Sequence, residues 1–167
     1  MMPSYLIICI DDERVVLDSV VDDLAELDSY FIIEAAESAE EARQVIEEKT
    51  SQEVQLALVV CDQIMPQQHG VDFLIELHDN PKYQASKKIL LTGQASHQDT
   101  IEAVNHACLD YYISKPWDQS ELYQVVRQQL TNYMIETHAD LAPWTQILDT
   151  EAILNAMAKQ RIEFGDG

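Results

Sequence analysis

Apolar residues gather in short runs near positions 5–10, 31–35, 56–61, 87–92 and 109–113, and between the runs apolar positions recur at helical spacing. The alternation predicts βα units repeated five times. Val16, Val20, Leu24 and Leu27 fall on one face of a first helix, with Asp22, Asp23 and Glu26 turned largely away. Ser38-Ala-Glu-Glu41 offers a capping box to a second helix that turns Ala42, Val45 and Ile46 inward. A third helix follows Gly70 and uses Phe73, Leu74 and Leu77. A fourth starts near Ser96-His-Gln-Asp99, and a fifth at Asp118-Gln-Ser-Glu121 carries Leu122, Val125, Val126 and Leu130. The first, third and fourth runs are almost continuously apolar, as strands are when helices cover both sheet faces. With right-handed crossovers this predicts an α/β fold, a doubly wound, parallel (βα)5 sheet of flavodoxin-like type with strand order 2-1-3-4-5.

Near Met134 the rhythm changes. Residues 1–133 are predicted to form the sheet domain, and 134–167 a helical C-terminal extension or linker. Within the latter, Pro143 ends a helix, and Asp149-Thr-Glu-Ala opens another with Ile153, Leu154, Met157, Ala158 and Ile162 on one side. Gly165 and Gly167 close it.

Composition narrows the function. The chain has 167 residues, 47% of them hydrophobic, which is enough for one core and argues against disorder. Its net charge of −20 would repel phosphate backbones and anionic membranes, so direct nucleic-acid or membrane binding is not expected. The start Met-Met-Pro-Ser lacks a basic leader, and no apolar run approaches about 18 residues, so a cytoplasmic location is expected. Cys9, Cys61 and Cys108 are widely spaced and read as small core residues rather than a disulfide or zinc framework.

Four strand ends carry the chemistry. Asp11-Asp12 follows the first run, Asp62 the third, Thr92 the fourth and Lys115-Pro116 the fifth. In a parallel sheet these groups meet at the carboxyl edge, where ligands bind in such folds. Asp62 alone could be a turn or helix-capping residue, and Asp12-Glu13 could simply favour a helix N-terminus. Gathered together, however, three carboxylates repel unless a cation sits among them, and the donor set suits Mg2+, a hard ion that accepts carboxylate and phosphate oxygens. Lys115, held extended by Pro116, could pair first with Asp62 and later with an added phosphoryl oxygen, to which Thr92 could donate its hydroxyl.

At these residues the chain resembles the response-regulator receiver domains of two-component signalling, of the chemotaxis type. The resemblance covers about residues 4 to 133. It rests on Asp11-Asp12, Asp62-x-x-Met65-Pro66 with Gly70, Thr92-Gly93, and Tyr112 followed by Lys115-Pro116. It implies that Asp62 is the phosphoacceptor, supplied by a sensor histidine kinase, a phosphotransfer protein or a small acyl phosphate. Asp12, Asp62 and the Ile64 main-chain carbonyl would bind Mg2+ directly, and Asp11 mainly through water. Thr92 and Tyr112 would form the switch, moving the face built by the fourth helix, fifth strand and fifth helix. Ile64 and Gln94, two positions after Asp62 and Thr92, would tune phosphoaspartate lifetime, the apolar Ile64 extending it to minutes or longer. No enzymatic activity beyond self-phosphorylation and self-dephosphorylation is implied.

Rival readings are an Asp-nucleophile phosphohydrolase, a flavin module and a receiver reduced to a scaffold. The first needs a second Asp where Ile64 stands, and the second a glycine-rich phosphate loop where Asp-Asp-Glu stands. For the third, the groups needed for phosphorylation are all in place. Two readings of the tail remain: an extension that packs on the receiver or mediates a homodimer, or a linker to an enzymatic output domain of a larger regulator.

Overall fold

The computed structural model describes residues 3–93, 97–105 and 108–163. Its strands are β1 (Ser4–Ile10), β2 (Ile32–Ala36), β3 (Val54–Cys61), β4 (Lys87–Thr92) and β5 (Tyr111–Ser114), all parallel in the order β2-β1-β3-β4-β5. Between and after them lie α1 (Arg14–Asp23), α2 (Ala39–Thr50), α3 (Gly70–Asp79), α4 (His97–Asn105), α5 (Gln119–Glu136) and α6 (Thr150–Glu163). This is the doubly wound, flavodoxin-like sheet that the polarity pattern predicts, with a C-terminal helix added.

Strand alternation splits the core in two. Ile7, Cys9, Leu58, Val60, Ile89 and Leu91 face α1 and α5, while Leu6, Ile8, Ile10, Val59, Cys61 and Leu90 face α2 and α3. A bulge decides the phase of β3. Leu6 pairs with Leu56 but Ile7 pairs with Leu58, so Ala57 is an extra residue that resets the face of every later side chain up to Asp62.

Local chemistry sets several element ends. Ser38 Oγ accepts from Glu41 N at 3.1 Å, while the Glu41 carboxylate reaches back to Glu37 N, one residue before the N-cap position of a regular capping box. In α1 the fully buried residues are Leu17 and Val20, and the expected Val16 is half-buried; the helix closes at Asp23, and Leu24 and Leu27 are carried by the turn after it. β5 begins at Tyr111 rather than at 109; just before it Asp110 N donates to Lys88 O at 2.8 Å while the Asp110 carboxylate accepts the Lys88 N–H at 2.8 Å, so a side chain takes the place of one ladder carbonyl. The predicted cap at Ser96 and the closing residues Gly165 and Gly167 lie outside the described residues.

The C-terminal segment is woven into the same core. α5 continues past 133 to Glu136, and Leu141, Trp144, Leu148 and Ile153 join the cluster that holds Tyr5, Leu27 and Phe31. Trp144 stacks on Phe31 at 5.0 Å and meets Tyr5 edge-on at 5.8 Å, while Tyr5 in turn meets Tyr133 at 5.9 Å. Arg127 of α5 donates to the carbonyls of Ile147 and Leu148 at 3.3 and 2.7 Å, fixing the turn before α6. The expected single apolar side of α6 is divided: Ile153 is buried and Met157 half-buried, whereas Leu154, Ala158 and Ile162 are exposed.

Candidate functional site

The ladder itself delivers the acidic groups. Asp62 N donates to Ile10 O at 2.9 Å and Asp11 N to Ala36 O at 3.1 Å, so both residues prolong their strands and point from the carboxyl edge. Asp11 and Asp62 are buried and Asp12 is exposed. Carboxylate oxygens of all three lie within 4.8 Å of one another. Lys115 Nζ donates to Asp11 Oδ2 at 2.7 Å and sits 3.4 Å from Asp62 Oδ1. The Lys115-Pro116 peptide is cis.

Among the described residues one ammonium, that of Lys115, reaches two of the three carboxylates, Asp11 and Asp62. Burial pushes the Asp11 carboxyl above its ordinary range, against the lowering pull of Lys115 and of the Glu13 N–H that Asp11 Oδ1 accepts at 2.9 Å. Burial alone would lower the Lys115 ammonium, but Asp11 and Asp62 together raise it above its usual value. The site therefore keeps net negative charge around hard oxygen donors. Such a donor set fits Mg2+, and a cavity of about 330 Å³ lined by Asp12, Glu13, Asp62, Ile64, Thr92, Gly93 and Lys115 leaves room for a phosphoryl group beside it.

Thr92 is buried at the end of β4, and the half-buried Tyr112 donates its hydroxyl to the Thr92 main-chain carbonyl at 3.1 Å. Ile64 is 40% exposed at the cavity rim. Gln94 lies outside the described residues. Gly70 is required by close approach, since a Cβ there would stand 2.0 Å from the Asp62 carbonyl oxygen.

Two supporting residues escape a reading of the sequence. Gln63 is buried beside Asp62, its carbonyl accepting from Gly70 N at 2.9 Å and its side-chain Oε1 from Val71 N at 2.8 Å. Trp117 Nε1 donates to Asp23 Oδ2 at 2.7 Å, tying the loop after Lys115 to α1. A buried glutamine right after a strand-end aspartate is a signal in hindsight; nothing in the spacing announces the Trp117 bond.

Comparison with known proteins decides the family: residues 7–127 match the model of the response regulator receiver domain. The chain belongs to that family. Over 122 residues the receiver is 31% identical to the hydrogenase transcriptional regulatory protein HoxA of Cupriavidus necator, covering 73% of this chain and 23% of HoxA. Response regulator Rre1 of Synechocystis is 30% identical over 133 residues, 80% of this chain and 54% of Rre1. The chain thus spans only 23% to 54% of the length of these curated relatives. Among solved structures, the signal receiver domain of an HD domain-containing protein from Pseudomonas fluorescens Pf-5 superposes with a TM-score of 0.71 at 27% identity, covering 83% of this chain and 95% of that one. A CheY-like receiver from Methanospirillum hungatei JF-1 gives 0.68 at 28% identity, over 80% and 98%. The receiver is a two-component signalling module, consistent with phosphorelay, and its family is not an enzyme family. Among the described residues no helix is long and apolar enough to cross a membrane.

Proposed function

We propose that Asp62 accepts a phosphoryl group from a phosphohistidine of a sensor histidine kinase or phosphotransfer protein, with Mg2+ as cofactor. The observation that carries this reading is the convergence of Asp11, Asp12 and Asp62 within 4.8 Å around Lys115, in a cavity open to a donor. Asp12, Asp62 and the Ile64 carbonyl would hold the ion, with Asp11 acting mainly through water. When bound, Mg2+ supplies positive charge that offsets the phosphoryl oxygens and the crowded carboxylates.

The chain's own residues do the rest. An Asp62 oxygen attacks phosphorus in line; the phosphorus–nitrogen bond breaks, and the imidazole leaves with its electron pair. Lys115, already oriented by Asp11, meets the charge arriving on Asp62, so catalysis is positioning and electrostatics. Thr92 then turns its hydroxyl toward the phosphoryl group, and Tyr112, whose hydroxyl bonds the Thr92 main-chain carbonyl, turns inward into the space the threonine side chain leaves, biasing the face of α4, β5 and α5. Ile64 at the rim hinders water and lengthens the phosphoaspartate's life, which Gln94 also tunes. With a net charge of −20, output through protein contacts is favoured over nucleic acid, in a homodimer or a larger regulator with an output domain. The receiver would occupy residues 1–133, with the extension beyond.

Acetyl phosphate with Mg2+ tests the assignment. Mass spectrometry should find one phosphoryl group on the chain and none on Asp62→Asn; undiminished labelling of the variant would refute it.

A further inference from the structure

The loop from Asp62 to Gly70 carries the Ile64 carbonyl, and its two halves are held differently. Its base is closed from within, by the two bonds Gln63 accepts from Gly70 N and Val71 N and by the buried Met65. The outer half, Pro66 to His69, has no comparable burial, and it contains a non-glycine residue in the left-handed region, Gln67 at φ 71°. Such a turn persists where its surroundings hold it. Within the turn Gln68 N donates to Pro66 O at 2.8 Å across Gln67, and a second support comes from another helix: Arg43 of α2 donates Nη2 to Gln68 Oε1 at 2.7 Å.

The same guanidinium is itself fixed. Its Nε and Nη2 grip both oxygens of Glu76 on α3 at 2.8 and 3.0 Å, and it lies 5.6 Å from the centre of the buried Phe73 ring. Gln68 Nε2 closes the triangle to Glu76 Oε1 at 3.3 Å. Hydrogen bonding to Glu76 raises the Arg43 guanidinium above its usual value, and the same bond lowers the Glu76 carboxyl. Exposed ion pairs generally contribute little, but a two-pronged grip on a carboxylate within a closed network is the favourable exception. A lysine, with a point charge and no planar fork, cannot reproduce it.

We propose that Arg43 is a positioning residue for the metal half of the site: by holding Gln68 it fixes the loop that presents the Ile64 carbonyl, and so sets Mg2+ affinity. The proposal rests on the reading of this edge as the Mg2+ and phosphoryl site. Geometry and charge make opposite predictions, which gives the test its force. Removing a positive charge from so acidic a protein should tighten cation binding through the field; releasing the loop should weaken it.

Calorimetric titration of the whole chain with Mg2+ alone, at fixed ionic strength, reads the difference. Arg43→Met should weaken binding on the order of fivefold, less than the tenfold or more expected of a group bonded directly to a metal ligand. Gln68→Leu, which leaves every charge in place, should weaken it to a similar degree, and the double variant no further than either alone. Arg43→Lys should fail to restore affinity. Unchanged or tighter binding in Arg43→Met, unchanged binding in Gln68→Leu, or additive losses in the double variant would overturn the proposal. Should Arg43→Met not fold, Gln68→Leu decides alone. Failure of the site reading is distinguishable, because it shows in the unsubstituted chain as absent Mg2+ binding and absent Asp62 labelling.

Discussion

At the carboxyl edge of the sheet three carboxylates crowd within 4.8 Å around one lysine, while at the amino edge Tyr5, Phe31, Tyr133 and Trp144 pack ring on ring at 5.0 to 6.5 Å. The first edge gathers like charges, with Asp11 raised by burial; the second gathers apolar area and lays the C-terminal segment across it. Stability and reactivity are thus divided between opposite ends of the same strands. An edge that must bind a cation and accept a phosphoryl group keeps its repulsion, because packing elsewhere tolerates it.

Trp144→Ala gives the sharpest way to break that division. Loss of the large buried ring should destabilise the chain by about 3–5 kcal/mol in urea unfolding and leave Mg2+ affinity unchanged. A change in affinity beyond about twofold, roughly 0.4 kcal/mol, would show that the edges are coupled.

The amino edge also buries a charge, and among the described residues it is held by main-chain carbonyls rather than by a counter-ion bond. Lys88 is 1% exposed and donates Nζ to the carbonyls of Tyr83, Gln84 and Ser86 at 3.4, 3.3 and 2.7 Å. Burial lowers its pKa to about 8, with nearby Asp110 pulling the other way. A folded value below the unfolded one means that the unfolded chain holds the proton more tightly. This contribution to stability is full above the unfolded value of 10.5 and is lost as pH falls through about 8. Relative to Lys88→Met, the natural chain should therefore gain on the order of 2–3 kcal/mol between pH 7 and 10.5. A flat difference across that range would mean that the carbonyls hold the ammonium as well as water does.

A smaller effect is expected from the tether at the carboxyl edge. Trp117→Phe removes the indole bond to Asp23 and should cost about 1 kcal/mol. A loss as large as that of Trp144→Ala would place the fold's support at both edges.

Much of this was legible because strand ends and helix faces follow simple periods. The order of the five βα units, the strand-end placement of Asp11, Asp62, Thr92 and Lys115, and the inward faces of α2, α3 and α5 all follow from apolar spacing. The bulge at Ala57 was not legible, since a run as uniformly apolar as Leu56 to Cys61 hides its own phase. The exposure of Leu154 and Ile162 escaped for another reason: Trp144 and Leu148 already cover the aromatic edge, so α6 needs to bury little more than Ile153. Arg43 and Gln68 are separated by 25 residues, and no local pattern joins them.

The chain's two tryptophans fall one to each edge: Trp117, half-buried, follows Lys115 by two positions, and Trp144 is buried among the rings. They make a natural pair of optical probes. With one replaced by phenylalanine, emission from the other reports a single edge, so the arrival of a phosphoryl group and the loosening of the C-terminal strap can be timed separately in one unlabelled protein.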